Sequence, residues 1–446
     1  MMFDLGIENG TLIRGSGRLG AHVYIRRGRI AAFSADRLAA RSRIDASGTY
    51  VMPGMIDTHV HLMDPGDTSR EDFPRGTAAA AKSGVTTIVE HTHHKPVRTV
   101  DDLIEKRRYL RDRSRVDFGL AAHAWPDHLD HIEPLWKRGA SFFKVFTCTT
   151  HGVPGFDSGT LRRLLQRTAA CGAICLIHCE DESITRDCEA ALRSTGRNDG
   201  GVVPEWRHPD AELVALRVVA ELADRTQARV VAAHLSSPLA VRALEPFGQG
   251  IIGESCPQYF ALLRDDILVN GALRKFTPPA RARSSEDLEA MWAELARGSI
   301  HHISSDHAPS TLDQKHSGSI WDVHFGLPGL DTTMAILLEA AASGRITYER
   351  LVEIYSEAPA RAYGLAPKKG SLEVGSDADL VLVDPTVDWT ISSDEIQSRA
   401  GWSPFEGRRI RGRPVATFLR GTQIAGDGMF IEPGFGRFVP GAGSTK

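Results

Sequence analysis

The chain has 446 residues, of which 42% are hydrophobic and 24% charged, and its formal net charge is -3. That balance is ordinary for a globular protein and offers no basic surface for nucleic acid. No run of about 18 apolar residues appears, which argues against a membrane span, and the opening MMFDLGIENG lacks the basic-then-apolar order of a signal peptide.

In chain order, residues 1–50 read as short strands broken by glycine turns, in TLIRGSG, AHVYIRRGRIAAFS and ASGTYVMPG. The alternation and the glycines predict a small β unit. Eight apolar, β-branched runs follow, at 50–61, 85–92, 116–124, 140–147, 173–180, 228–236, 250–256 and 300–308. Between them lie helix-like stretches such as DFPRGTAAAAKSG, SGTLRRLLQRTAACG, DAELVALRVVAELADRT and SSEDLEAMWAELARG. Several open on Asp or Ser and close on Gly, as helix caps prefer. Eight strands alternating with helices predict an α/β chain folded as a (β/α)8 TIM-like barrel. The strand–turn–strand pattern then returns in GSLEVGSDADLVLVDP and RPVATFLRGTQI. The expected division is a β-sandwich from residues 1–50 and 367–446 and a barrel from 51–366. The Gly/Pro-rich end PGFGRFVPGAGSTK predicts a loosely ordered tail.

The six cysteines are Cys148, Cys171, Cys175, Cys179, Cys188 and Cys256. They show no CxxC spacing, which predicts reduced cysteines in a cytoplasmic protein rather than disulfides or a zinc knuckle.

Polar residues gather at the predicted strand ends. His59 and His61 end the first run, Lys144 lies near the end of the fourth, His178 in the fifth, His234 in the sixth and Asp306 in the eighth. In a barrel the C-terminal strand ends converge on the face that holds the active site. The spacing of His59 and His61 puts both imidazoles on one strand face, because side chains alternate with period two. Four imidazoles and a carboxylate suit divalent metals of the zinc class. An ammonium has no lone pair, so Lys144 can ligate only when deprotonated or carboxylated to a carbamate. Singly, each residue has a plainer reading: a hydrogen-bonded core histidine, a snorkelling lysine or a helix-capping aspartate. Jointly, at matching strand ends, they point to a metal site. His91, His93, His94, His123, His301, His302 and His324 lack that support, although His93 and His123 are candidates to line the pocket.

The ordered set PGMIDTHVHLMDPG, SGVTTIVEHT, ASFFKVFT, LIHCED, AAHLSSP, GESCPQYF, KFTPPAR, ISSDHAP and KKGSLEVGSDADLVLVDP resembles the amidohydrolase superfamily. Within it, the set is similar to the cyclic amidohydrolases: hydantoinase, dihydropyrimidinase, allantoinase and dihydroorotase. The resemblance implies a TIM-like barrel with a β-sandwich built from both chain ends. It implies two divalent metals, zinc first, with manganese, cobalt or iron as alternatives. His59, His61 and Asp306 would hold the more buried metal, His178 and His234 the second, and N6-carboxylated Lys144 would bridge them. A hydroxide shared by metals about 3.5–4 Å apart would attack the amide carbonyl. Asp306 would carry its proton to the leaving nitrogen. The resemblance also implies a homodimer or homotetramer.

For the substrate, the departures from the family pattern matter. Dihydroorotases carry arginine where this chain has Met63, so a ring carboxylate has no partner there. Hydantoinases and dihydropyrimidinases place tyrosine at the position of Thr149, and an asparagine before the late Pro-Gly that HFGLPGL lacks. Thr277 begins a Thr-Pro-Pro segment like the loop that holds the imide in these enzymes. The expected substrate contacts are Met63, Thr149, Thr277 and His307. The expected reaction opens a C–N bond in a cyclic amide or ureide, allantoin-like or a 5-substituted hydantoin or dihydropyrimidine, giving an N-carbamoyl or ureido acid. Met63, Phe146 and Phe325 make the expected pocket more apolar than allantoin would want, which leaves an aryl- or alkyl-substituted ring open. The alternatives are a dihydroorotase, a single-metal deaminase, which Lys144 argues against, and a non-catalytic dihydropyrimidinase-like scaffold, which would lack ligands that are all present.

Overall fold

The computed structural model describes residues 2–426 and 428–445. The predicted terminal β unit includes Met1, Asp427 and Lys446, which lie outside the described residues. Each of the eight predicted runs carries a parallel strand: Met55–Val60, Val85–Glu90, Asp117–Leu120 with Ala122–His123, Phe143–Phe146, Ile174–His178, Arg229–Ala232, Ile251–Ser255 and His302–Ile303. They form a three-stranded and a six-stranded sheet. The run 117–123 belongs to both sheets. A parallel bridge between Val60 and His307 sets the first strand beside the segment that follows the last.

The inner strands are apolar because both faces are covered. Every residue of Met55–Val60, Val85–Glu90 and Ile174–His178 is buried, the expected state for strands packed between helices and a barrel interior. The intervening helices begin and end where their caps allow. Phe73–Lys82 starts on Asp72, whose carboxylate accepts the Arg75 N–H. Ser158–Cys171 starts on Asp157 and stops at Gly172, which takes the left-handed conformation at φ 70°, the role glycine fills at little cost. Among the described residues no helix is long and apolar enough to cross a membrane.

The first predicted run is two strands, not one. Tyr50–Pro53 pairs with Leu380–Thr390 and Thr11–Arg14, whereas Met55–Val60 pairs with Val85–Glu90. Gly54 makes the crossing possible, since a Cβ there would lie 2.2 Å from the Thr86 hydroxyl. Both chain ends build the β part. A four-stranded sheet comes from residues 3–45, and a seven-stranded sheet mixes Thr11–Arg14, Gly17–Gly20 and Tyr50–Pro53 with four C-terminal strands. Leu5, Ile7, Leu12, Val23, Leu380 and Phe418 share one apolar cluster there.

The tail departs from its predicted looseness. The Phe118 N–H donates to Arg437 O at 2.9 Å and the Val439 N–H to Phe118 O at 2.8 Å. The glycines permit this close docking: a Cβ on Gly436 would lie 1.9 Å from Val116 O. A buried ion cluster ties the same strand to the C-terminal segment. The Lys369 ammonium lies 2.5 Å from Asp117, 2.7 Å from Asp379 and 3.0 Å from Asp377, and Arg420 also pairs with Asp117. Each of these three carboxylates is therefore already paired with a protein cation, which argues against a metal site there.

Candidate active site

The six predicted ligands converge. His59, His61, Lys144, His178, His234 and Asp306 all line one pocket at the strand ends. His59 Nε2 is 3.1 Å from Lys144 Nζ and 3.2 Å from Asp306 Oδ1. His61 Nε2 is 3.4 Å from the same Asp306 oxygen. His178 Nδ1 and His234 Nε2 face each other at 2.9 Å. His234 and Asp306 hold positive φ values of 41° and 48°. Left-handed backbone costs a non-glycine residue roughly 1–2 kcal/mol, and such strain clusters where function needs it.

The outer nitrogens of three imidazoles are committed, which decides what the inner ones offer. His59 Nδ1 meets Glu254 Oε1 at 2.7 Å, and the second Glu254 oxygen meets His302 Nε2 at 3.2 Å. His61 Nδ1 donates to His91 O at 2.8 Å. His178 Nε2 meets Glu180 Oε2 at 2.7 Å, and that oxygen also accepts from Arg207 at 3.2 Å and Thr277 at 2.8 Å. Each ring thereby donates outward and keeps an inward lone pair, the tautomer in which histidine ligates a metal. His234 adds Nε2, while its buried Nδ1 has no partner among the described residues. The donor set fits divalent cations.

Electrostatics agree with the tautomers. Burial lowers His61 to about 4 and keeps it neutral. Burial pulls the Lys144 ammonium down to about 8. Burial pushes Glu180 upward, but the Arg207 guanidinium and the hydrogen bond from His178 outweigh it and bring the carboxyl to about 2. Burial likewise opposes ionisation of Glu254 and Asp306, and the facing histidines overcome it. Glu254 is thus a fixed anion behind His59. Its replacement by glutamine is expected to weaken divalent-metal binding about 10–100-fold, the usual cost of losing a ligand's carboxylate partner. A metal titration followed by calorimetry checks this, and unchanged affinity would contradict it.

Of the four predicted substrate contacts, only Thr277 lines the pocket. Met63 is buried at φ 57°, and its sulfur accepts from Thr92 Oγ1 at 3.6 Å. The left-handed backbone turns its side chain into the core. Thr149 is exposed, its N–H held by Glu182 and its hydroxyl by the Gly155 N–H. His307 faces away: its Nδ1 accepts from the Gly329 and Leu330 N–H groups and its Nε2 meets Glu71. The remaining wall is His93, Phe146, His151, Ala308, Phe325 and Gly326. His123 stands behind it, its Nε2 3.2 Å from His93 Nδ1.

Sequence reasoning missed Glu180, Glu254 and His151. Glu180 had a signal, since it lies two residues after His178 in the predicted run 173–180, where period two would put both on one face. Glu254 had another, as the one carboxylate in the seventh run. His151 sits in a loop and had none. A larger cavity of about 440 Å³ lies elsewhere, between Met334, Trp389, Val415 and Phe430, but it gathers no cluster of metal donors.

Parallel strands flanked by helices, an appended β part and inward-facing imidazoles define an α/β protein of the TIM-barrel type with a candidate metal centre. Residues 50–424 match the amidohydrolase family model, and the chain belongs to that family. It is 34% identical to an L-hydantoinase of Paenarthrobacter aurescens over 98% of both chains. It is 34% identical to an allantoinase of Rubrobacter xylanophilus, covering 98% of this chain and 97% of the relative. The solved L-hydantoinase (dihydropyrimidinase) from Arthrobacter aurescens superposes with a TM-score of 0.94 at 33% identity, over 98% of this chain and all of that one.

Proposed function

We propose that the protein hydrolyses the amide C–N bond of a 5-substituted hydantoin or closely related cyclic ureide, giving an N-carbamoyl amino acid. One observation carries the choice of substrate. Beyond the six ligand residues and Thr277, the pocket wall consists of four rings, His93, Phe146, His151 and Phe325, with Ala308 and Gly326, and holds no arginine or lysine. Such a wall accepts an aryl or alkyl substituent and leaves a ring carboxylate without a partner. The same absence argues against dihydroorotate more directly than Met63 does.

In this reading His59, His61 and Asp306 would hold one divalent cation, zinc first, His178 and His234 would hold another, and carboxylated Lys144 would supply carbamate oxygens as further ligands. The chemistry supplied by the bound cations is a water of lowered pKa and a polarised carbonyl. Burial of Lys144 supports the carbamate, because only the neutral amine reacts with carbon dioxide. Glu254 and Glu180 fix the orientation of His59 and His178. Asp306 takes the proton of the attacking water and delivers it to the ring nitrogen as the C–N bond breaks. The water oxygen ends in the new carboxylate.

We further propose residues 1–50 with 367–446 as one folding unit, whose sheet also takes in the strand Tyr50–Pro53, and the rest of 51–366 as the other, the protein acting in the cytoplasm as a homodimer or homotetramer. The six free cysteines support the reducing compartment, and exposed Leu268 and Val269 support self-association.

The test is a panel of 5-phenylhydantoin, hydantoin, allantoin, dihydrouracil, dihydroorotate and succinimide, read by ring opening. The expected result is the highest kcat/KM on 5-phenylhydantoin, with dihydroorotate at least about 100-fold poorer, the discrimination an unpaired buried charge of about 3 kcal/mol gives. Activity confined to dihydroorotate would overturn the assignment, and a preference for allantoin would restrict it to polar 5-substituents.

A further inference from the structure

His151 stands out among the pocket residues because none of the described residues hydrogen-bonds to its ring nitrogens. Thr277 spends its hydroxyl on Glu180 at 2.8 Å, and His93 spends Nδ1 on His123 at 3.2 Å. The His151 ring makes only ring contacts: it stacks on His93 with centroids 4.5 Å apart and planes 6° from parallel, and meets Phe325 and Phe146 edge-on at 6.2 and 6.4 Å.

Its backbone is held in an unfavourable shape. The Thr150 N–H donates to Val153 O at 3.1 Å and the Val153 N–H to Thr150 O at 2.9 Å. Between them His151 and Gly152 take φ 53° and 75°. This is a two-residue turn with both central residues left-handed, where Asn-Gly is the favoured pair. A histidine at the first position pays a conformational cost, and its side chain makes no hydrogen bond among the described residues. Strain of this kind at a pocket wall points to a ligand contact. Burial holds the imidazole well below its ordinary pKa, so the ring is neutral and carries one N–H donor.

We infer that His151 is a substrate-contacting catalytic residue, its imidazole N–H donating to the amide oxygen on which negative charge develops as the ring opens. The inference rests on the cyclic-amide reading above. Stacking on His93 fixes the ring plane, so the donor is already oriented when the charge appears, and a preoriented donor of this kind is worth about 10²–10³ in kcat.

The test uses His151→Phe and His151→Asn in the full-length metal-loaded enzyme with the best substrate of the panel. Phenylalanine keeps an aromatic ring against His93 and removes the N–H; asparagine suits the left-handed turn and restores a donor. The expected result is a kcat loss of about 100-fold or more for His151→Phe, with KM changed less than about threefold, metal content unchanged and partial recovery in His151→Asn. Unchanged kinetics, a loss confined to KM, or loss of metal with activity would each overturn it. A wild-type enzyme that opens none of the rings would instead overturn the cyclic-amide reading, and this inference with it.

Discussion

Lys144→Ala is expected to lose at least one bound metal per chain and at least about a thousandfold in ring-opening rate. The estimate follows from charge stabilisation of several kcal/mol by a bound metal and a factor of ten per 1.4 kcal/mol. Lys144 lies on the strand Phe143–Phe146, is 1% exposed, and places its Nζ 3.1 Å from His59 Nε2. Among the six inward-facing groups it alone carries a nitrogen that carbon dioxide can convert to a two-oxygen ligand. The variant should still fold, because replacing a buried ammonium by an apolar side chain removes a desolvated charge rather than stranding one. Metal analysis and turnover on the same preparation read both effects. A variant with unaltered metal content and activity would remove Lys144 from the site.

Asp306→Asn is expected to keep its fold and lose about 10³–10⁴ in kcat. Asparagine matches aspartate in shape and is among the few residues that tolerate the left-handed backbone found here, φ 48°. The Ser305 N–H bonds to Asp57, which anchor the neighbouring residue at 3.1 Å to each oxygen, do not involve the replaced carboxylate. What disappears is the proton carrier, and general acid–base catalysis is worth about 10²–10⁴; weakened ligation of one metal adds to the loss. Steady-state kinetics with metal supplied in excess isolates the first effect. Retention of more than about a tenth of wild-type kcat would contradict the proton-shuttle role of Asp306, whose loss should exceed that.

The residues that meet at the centre were legible because they obey strand geometry. His59 and His61 share a face by period two, and the other four stand at or near the ends of predicted strands, so a count of strands was enough to gather them. The substrate side was not legible, because it is built by loops. Met63 and His151 both take left-handed backbone, and no pattern in the sequence announces that a methionine will turn inward to the core while a histidine two residues beyond Thr149 lines the pocket. His307 is a different case. It follows Asp306 directly, and the alternation that united His59 with His61 already places neighbouring residues on opposite sides. In the structure its ring holds the Gly329 and Leu330 amides instead. The fold was read from the same alternation of strands and helices; the undivided run 50–61 was misread because the division turns on Gly54 and the Thr86 hydroxyl that no side chain could pass.

The central claim is that the four imidazoles, Lys144 and Asp306 together hold a pair of divalent cations. Elemental analysis of the purified wild-type protein, referred to protein concentration, tests it most directly. The account predicts about two divalent metal ions per chain, as a two-metal hydrolytic site requires, removed together with ring-opening activity by a chelator and restored together by zinc. Full activity in protein carrying less than one metal per chain would contradict it.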